Sequence, residues 1–183
     1  MGSWAETTDI EKMKFALYAI KNAGRRHAMA FTLNLAPDVE RRAKIDPDWL
    51  RRKIVLGVGS DVPLLIVFDA APDTDRVHLH GAYAAANSDD ANRIDCALDA
   101  AGGEWAAPRG DSYKLLPKVL GEESGTVDGW LVYLLKSITA AGQVVAGGPL
   151  WSMTNPARRA AKALHEDVRR AVNIASRESI HAR

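Results

Sequence analysis

The sequence contains one cysteine, Cys96, which excludes both an internal disulfide framework and a zinc site made of several cysteines. No apolar run approaches the ~20 residues that a membrane-spanning helix needs. Residues 1–6 lack the basic-then-apolar pattern of a signal peptide. A Gly-x-x-x-x-Gly-Lys-Ser/Thr loop is also missing, so no P-loop ATPase module is expected. We therefore expect a protein that is neither secreted nor embedded in a membrane.

The chain also has little excess charge of either sign. It carries 24 basic and 23 acidic residues, a net charge of +1, so any surface that binds nucleic acid must be local. Its 183 residues, of which 47% are hydrophobic, suit one globular domain spanning 1–183. We expect the core of this domain at about 28–140.

Hydrophobic periodicity predicts an alternation of helices and strands. Helical spacing predicts helices at 9–23, from Asp46-Pro47 onward, after Ser88 and at 126–138, and a last, basic helix at about 155–179. Apolar runs predict strands at 28–35, 63–69 and 76–85, with further segments at 104–107 and 112–119. Residues 141–154 are glycine-rich and are expected to form a loop with a short strand.

The inner order, strand-helix-strand-strand-helix-strand across 28–119, is the ferredoxin-like arrangement. It predicts an α+β fold, similar to that of RNA-recognition domains, with an antiparallel sheet and helices on one face. The N-terminal and C-terminal helices are additions to this unit.

Two histidines, His78 and His80, stand one residue apart in the third predicted strand. Side chains alternate along a strand, so both point to one face and offer two nitrogens to a divalent metal. A short turn precedes this strand, and Asp69 at the end of the strand before it would then lie nearby as a third ligand. Isolated His-x-His pairs are common in proteins, and an aspartate often stands before a turn. Spacing alone therefore leaves open whether these three residues bind a metal or are ordinary structural residues.

Tyr133 and Lys136 fall off the apolar stripe of the helix at 126–138 and are one turn apart. They can face a shared site, or they can form a surface pair that packs on the helix. Thr32 and Asn34 share one face near the end of the first predicted strand.

Three segments, in this order, resemble the motifs of the HUH rolling-circle replication initiators (Rep endonucleases) of the single-tyrosine type. They are Phe31-Thr32-Leu33-Asn34, His78-Leu79-His80-Gly81 and Tyr133-Leu134-Leu135-Lys136. The resemblance covers about residues 28–140.

The resemblance implies an endonuclease and strand transferase that acts on single-stranded DNA. By this resemblance His78, His80 and Asp69 would hold Mg2+ or Mn2+, Tyr133 would be the nucleophile, and Lys136 its partner. The protein would bind single-stranded DNA at an origin hairpin or nick site, and a separate helicase would unwind the duplex. The protein would then be cytoplasmic in a prokaryote or nuclear for a eukaryotic virus.

Basic side chains are the other candidates for contact with DNA. Those expected to position the strand, together with Thr32 and Asn34, are Arg25, Arg26, Arg51 and Arg52. For Arg51 and Arg52, a solvated helix face is the default explanation.

Three alternatives remain open at this stage. The same fold can serve as a non-catalytic module that binds single-stranded DNA. The same chemistry serves relaxases and transposases. The histidines can also be structural in a metal-free interaction domain.

Overall fold

The computed structural model of the protein describes residues 2–71, 73–104, 114–123, 125–136 and 138–181, with side chains up to residue 176. The predicted strand segment at 104–107 lies outside these residues except for its first position, as do residues 112 and 113 of the next predicted segment.

Seven α-helices and five strands are formed by the described residues. The helices are α1 (Asp9–Gly24), α2 (Pro37–Ile45), α3 (Pro47–Val58), α4 (Ser88–Ala101), α5 (Val127–Leu135), α6 (Ile138–Val144) and α7 (Asn155–His181), and the strands are β1 (Ala28–Asn34), β2 (Leu64–Ala70), β3 (Val77–Ala84), β4 (Leu115–Val119) and β5 (Trp151–Met153).

The strands form one sheet in the order β4-β1-β3-β2-β5, and every neighbouring pair is antiparallel. The predicted α+β class with an antiparallel sheet is therefore confirmed. Along the chain the inner elements follow in the order β1-α2-α3-β2-β3-α4-β4, and in the sheet β3 lies between β1 and β2. This is the split arrangement of ferredoxin-like folds, with two helices in place of one between β1 and β2. The short β5 adds a fifth strand beside β2.

Alternation along the strands gives the sheet two apolar faces, each with its own core. One face carries Phe31, Phe68 and Leu79 and packs against α2, α3, α4 and α6. The other carries Ala30 and Ala82 and packs against α1, α5 and α7. The helices of the inner unit thus lie on one face, and the N-terminal and C-terminal helices cover part of the other.

Local sequence signals explain where several helices begin. Asp46 accepts a hydrogen bond from the backbone of Trp49, with Pro47 in the first turn of α3, as predicted from Asp46-Pro47. Thr126 caps α5 in the same way through Gly129.

Two features differ from the prediction. The first is α2, a helix that the sequence pattern did not predict, which begins after β1 with Pro37 in its first turn. The helix predicted at 126–138 ends at Leu135, and α6 follows from Ile138 into the stretch expected to be a loop. Gly142 lies inside α6, where burial of Ala141 against the sheet compensates for the low helix propensity of glycine.

Among the described residues, no helix combines the length and apolar character needed to cross a membrane.

Candidate metal centre and tyrosine site

The strand register brings the predicted metal ligands together at one end of the sheet. In the antiparallel ladders, His78 lies opposite Asp69 of β2 on one side and Asn34 of β1 on the other. His80 lies opposite Thr32. Directly opposed residues of an antiparallel pair project to the same face, so these side chains share the face covered by α1, α5 and α7.

The side chains of Asp69, His78 and His80 converge on one point. Oδ2 of Asp69 lies 3.1 Å from Nε2 of His78 and 3.0 Å from Nε2 of His80. The three ligand atoms lie within 4.8 Å of one another, a spacing that suits a single metal ion. Among the described residues, no other group of three or more His, Cys, Asp or Glu side chains brings its ligand atoms together in this way.

Hydrogen bonds on the far side of each ligand orient the three side chains. Nδ1 of His80 lies 2.8 Å from the Thr32 hydroxyl, and Nδ1 of His78 lies 3.4 Å from the carbonyl oxygen of Arg76. Oδ1 of Asp69 accepts the Ala70 N–H at 2.7 Å. Metal-binding histidines usually have their other ring nitrogen held in this manner, which leaves Nε2 for the ion. The residues present therefore fit a divalent cation.

The electrostatics keep two of the ligands in the protonation state that a metal requires. Burial alone would raise the pKa of the Asp69 carboxyl, but hydrogen bonds and charge from His78 and His80 outweigh it and hold that pKa well below its usual range. Burial lowers the pKa of His80, against the opposing effect of Asp69. The carboxylate therefore stays ionised and this imidazole neutral at pH 7, as metal binding demands.

Tyr133 lies directly beside this cluster. The ring centroids of Tyr133 and His80 are 4.8 Å apart in an edge arrangement. The Tyr133 side chain is 43% exposed, whereas His80 is fully buried, so the tyrosine stands between the cluster and solvent. Burial and the charge of Asp69 raise the pKa of the Tyr133 phenol. The predicted proximity of tyrosine and histidines is present in the structure.

Trp130 connects the tyrosine helix to the histidine strand. Its ring stacks on that of Tyr133, with centroids 5.0 Å apart and planes at 18°. Its indole N–H donates to the carbonyl of Gly81 at 3.2 Å. The sequence assigned Trp130 only to the apolar stripe of its helix, because periodicity shows burial and not which strand an indole reaches.

The other predicted residues occupy different positions. Lys136 is exposed at the C-terminal end of α5, where its N–H donates to the carbonyl of Tyr133. Arg25 and Arg26 precede β1 and so lie at the opposite end of that strand from Asn34. The structure therefore brings Lys136 near the tyrosine but leaves these two arginines away from the cluster.

Arg51 and Arg52 lie on α3, which packs on the other face of the sheet. Arg51 is buried, pairs with Asp48 and lies over the ring of Phe68. Arg52 pairs with Asp46 at 3.6 Å. Arg51 thus points into the protein and Arg52 toward solvent, and each has an acidic partner on or next to α3.

Comparison of the chain with protein-family models, with curated proteins and with solved structures gave no match. The geometry of Asp69, His78, His80 and Tyr133 is therefore the basis for assigning a function.

Proposed function

We propose that the protein is a metal-dependent enzyme that nicks and rejoins single-stranded DNA through a phosphotyrosine intermediate. The observation that carries this proposal is the position of Tyr133, a half-exposed phenol whose ring lies 4.8 Å from that of the candidate ligand His80. A nucleophile and an electrostatic centre for phosphate are thus adjacent at one end of the sheet.

In the proposed step, the phenolate oxygen of Tyr133 forms a bond to phosphorus while the bond from phosphorus to the 3′-oxygen breaks. The 3′-oxygen leaves and takes up a proton as a hydroxyl, and the proton of the tyrosine passes to solvent. The product is a 5′-phosphotyrosine. Attack by the freed 3′-hydroxyl reverses the step and rejoins the strand without ATP.

A divalent cation bound by Asp69, His78 and His80 would polarise the non-bridging phosphate oxygens and offset the charge that repels the nucleophile. Two imidazoles and one carboxylate suit Mn2+ better than Mg2+, which prefers oxygen ligands throughout. Lys136, one turn after Tyr133, would add a positive charge for the phosphate.

The hydrogen-bonded series Asp69-His80-Thr32 also has the acid-base-hydroxyl order of hydrolytic triads. A triad gives no role to His78, whose Nε2 approaches the same carboxylate oxygen at 3.1 Å. Two imidazole nitrogens and a carboxylate oxygen that converge in this way match the donor set of a metal site. We therefore favour the metal-dependent reaction over hydrolysis by Thr32.

The biological setting that we propose is initiation of rolling-circle replication of a plasmid or small virus, with a helicase supplied by another protein. Relaxase-like or transposase-like strand transfer uses the same chemistry and is the alternative setting. The protein would work in the cytoplasm or, for a eukaryotic virus, in the nucleus.

The test is incubation of the protein with a labelled pool of single-stranded DNA and Mn2+, followed by denaturing electrophoresis. We expect a covalent protein–DNA adduct that maps to Tyr133 and disappears in Tyr133→Phe. Tyr18→Phe is the matched control, since Tyr18 is also on a helix of this face but bonds to Asp128 instead. An adduct of equal yield in Tyr133→Phe would refute the assignment of Tyr133 as the nucleophile.

The same assay, with separate equilibrium measurements of DNA binding and of Mn2+ binding, separates the alternatives. Adduct formation that needs Mn2+ and is lost in His78→Ala and His80→Ala supports the metal centre. DNA binding without an adduct would indicate a non-catalytic binding module. Failure of the wild-type protein to bind Mn2+ would favour a metal-free interaction domain.

A further inference from the structure

A cavity opens beside Tyr133 on the side of β1 and β4. It has a volume of about 370 Å³ and lies between these two strands and α5. It shares Thr32 and Tyr133 with the candidate active site. Besides these two residues, its lining includes Ala30, Leu116, Lys118, Glu123 and Trp130.

The size of the cavity limits what it can hold. Pockets for small ligands have volumes of about 300–1,000 Å³, so this one is at the small end of the range. It suits a single planar group. A group that enters it also contacts the nucleophile, so it must be close to the scissile bond in the chain of the substrate.

The walls and the rim of the cavity have different chemistry. Ala30 and Trp130 are buried, and with Leu116 they give apolar and aromatic walls that favour a flat ring. Lys118 and Glu123 place one positive and one negative charge among the lining residues. The Glu123 carboxylate is oriented by the N–H of Val119, which donates to its Oε2 at 3.1 Å.

A nucleobase next to a phosphate has the matching chemistry. Its ring stacks on aromatic side chains, and an ammonium group attracts the adjoining phosphate. A carboxylate accepts hydrogen bonds from exocyclic amino groups and repels carbonyl oxygens. Cytosine and adenine present an amino group, whereas thymine presents a carbonyl in its place.

Building on the function proposed above, we infer that this cavity binds one base flanking the scissile phosphate and selects an amino-bearing base over thymine. Glu123 is assigned this selectivity, because it places a carboxylate among the residues that line the cavity. Lys118 contributes affinity without selectivity, because phosphate contacts carry no sequence information.

The test measures equilibrium binding of labelled dC15 and dT15 by fluorescence anisotropy at pH 7.5 with Mn2+. The Tyr133→Phe protein is used, so that nicking does not compete and the ring in the cavity wall is kept. We expect dC15 to bind more tightly than dT15. Glu123→Gln should reduce this preference about 3- to 10-fold, which is the effect of one exposed base contact.

Two further variants serve as comparisons. Lys118→Ala should weaken binding of both oligonucleotides equally and lower the salt dependence of binding. Glu122→Gln is the matched control, because the neighbouring Glu122 pairs with Lys21 at 3.3 Å and does not line the cavity. It should leave the preference unchanged.

Equal binding of dC15 and dT15, or a preference that Glu123→Gln does not change, overturns the inference about the cavity. Adduct formation by the wild-type protein is measured in parallel with the same oligonucleotides. An adduct without base preference would leave the nicking function standing and reject the base pocket. A Glu123-dependent preference, together with no adduct from these oligonucleotides or from the labelled pool of single-stranded DNA, would reject nicking and support the pocket.

Discussion

At the scale of single residues, the candidate site depends on side chains that hold other side chains. The sequence predicts Thr32 as a DNA contact, and in the structure its hydroxyl lies 2.8 Å from Nδ1 of His80. When Nε2 binds a metal, the proton of the neutral ring is on Nδ1 and donates to this hydroxyl. In the proposed metal site, Thr32 would therefore act on the metal through His80.

We expect Thr32→Val to weaken Mn2+ binding about tenfold, at the lower end of the effects seen when such outer contacts are removed. Valine keeps the shape of threonine and removes only the hydroxyl. Isothermal titration calorimetry measures the affinity. Thr32→Ser keeps the hydroxyl and should bind Mn2+ like the wild type, and an unchanged affinity in Thr32→Val would contradict the role of this hydrogen bond.

The lowered pKa values of His80 and Asp69 predict a loss of stability in acid. Since burial lowers the pKa of His80, the folded protein resists a proton that the unfolded chain accepts below about 6.5, the ordinary value. The carboxyl pKa of Asp69 is also lowered, so its contribution is present above its ordinary value of 3.8 and is lost as the pH falls below it.

In the metal-free protein, the free energy of unfolding should therefore fall from pH 7 to pH 5 through His80, and fall further below pH 4 through Asp69. Urea denaturation at several pH values measures this. The His80→Gln variant should show a flatter dependence between pH 7 and pH 5, because glutamine takes up no proton. Parallel curves for the two proteins would contradict the assignment to His80.

At the scale of elements, the contact between β3 and α5 positions Tyr133, the proposed nucleophile. The indole of Trp130 donates to Gly81, the residue after His80, and stacks on Tyr133. Gly81 must also be a glycine for packing on the other face. A Cβ at this position would lie 2.5 Å from Cζ of Phe31 and would overlap the carbonyl oxygen of Leu65.

Gly81→Ala should lower the free energy of unfolding by about 1–3 kcal/mol, the usual cost of overpacking a dense core. The contact with a backbone carbonyl of the neighbouring strand cannot be relieved by rotating a side chain. Urea denaturation monitored by circular dichroism gives the change. Gly57→Ala in α3 is the control and should be neutral or stabilising by up to about 1 kcal/mol, because helical glycine is unfavourable and its added Cβ meets Ala97 at 3.4 Å.

At the scale of the whole molecule, the two faces of the sheet differ: both pack against helices, but only one also carries the polar cluster of Asp69, His78 and His80. The face covered by α2, α3, α4 and α6 is filled with large apolar side chains. The other face is filled near α1 and α7, and at its far end it carries the polar cluster beside α5. The cluster thus lies on a sheet whose opposite face is packed, and two neighbouring strands hold Asp69, His78 and His80 in place.

Metal binding to ligands on β2 and β3 should stabilise the whole fold, because the unfolded chain does not hold these residues together. At a free Mn2+ concentration of 100 times the dissociation constant, the expected gain is about 2.7 kcal/mol. Thermal unfolding with and without Mn2+ measures it. Asp69→Asn should show little of this gain, and an equal gain in that variant would place the metal elsewhere.

The α+β class, the three long strands and the relation between Asp69, His78 and His80 could be predicted from the sequence. The period of two along a strand puts His78 and His80 on one face whatever the rest of the chain does. The short connection after Asp69 permits only a hairpin, so Asp69 and His78 become neighbours. Both inferences use local geometry, which the sequence determines by itself.

Other features were decided only by tertiary structure. Arg51 was grouped with exposed basic residues, and its burial over Phe68 depends on how α3 packs on the sheet. The helix α6 has a glycine within it and forms against β2 because burial of Ala141 there outweighs propensity. The distance from Tyr133 to His80 depends on how α5 docks on β3, through contacts between residues far apart in the chain. The sequence by itself therefore determined that Asp69, His78 and His80 lie close together on one face of the sheet. The tertiary fold decided which side chains stand next to them, because local periodicity fixes the face of a residue and not its distant neighbours.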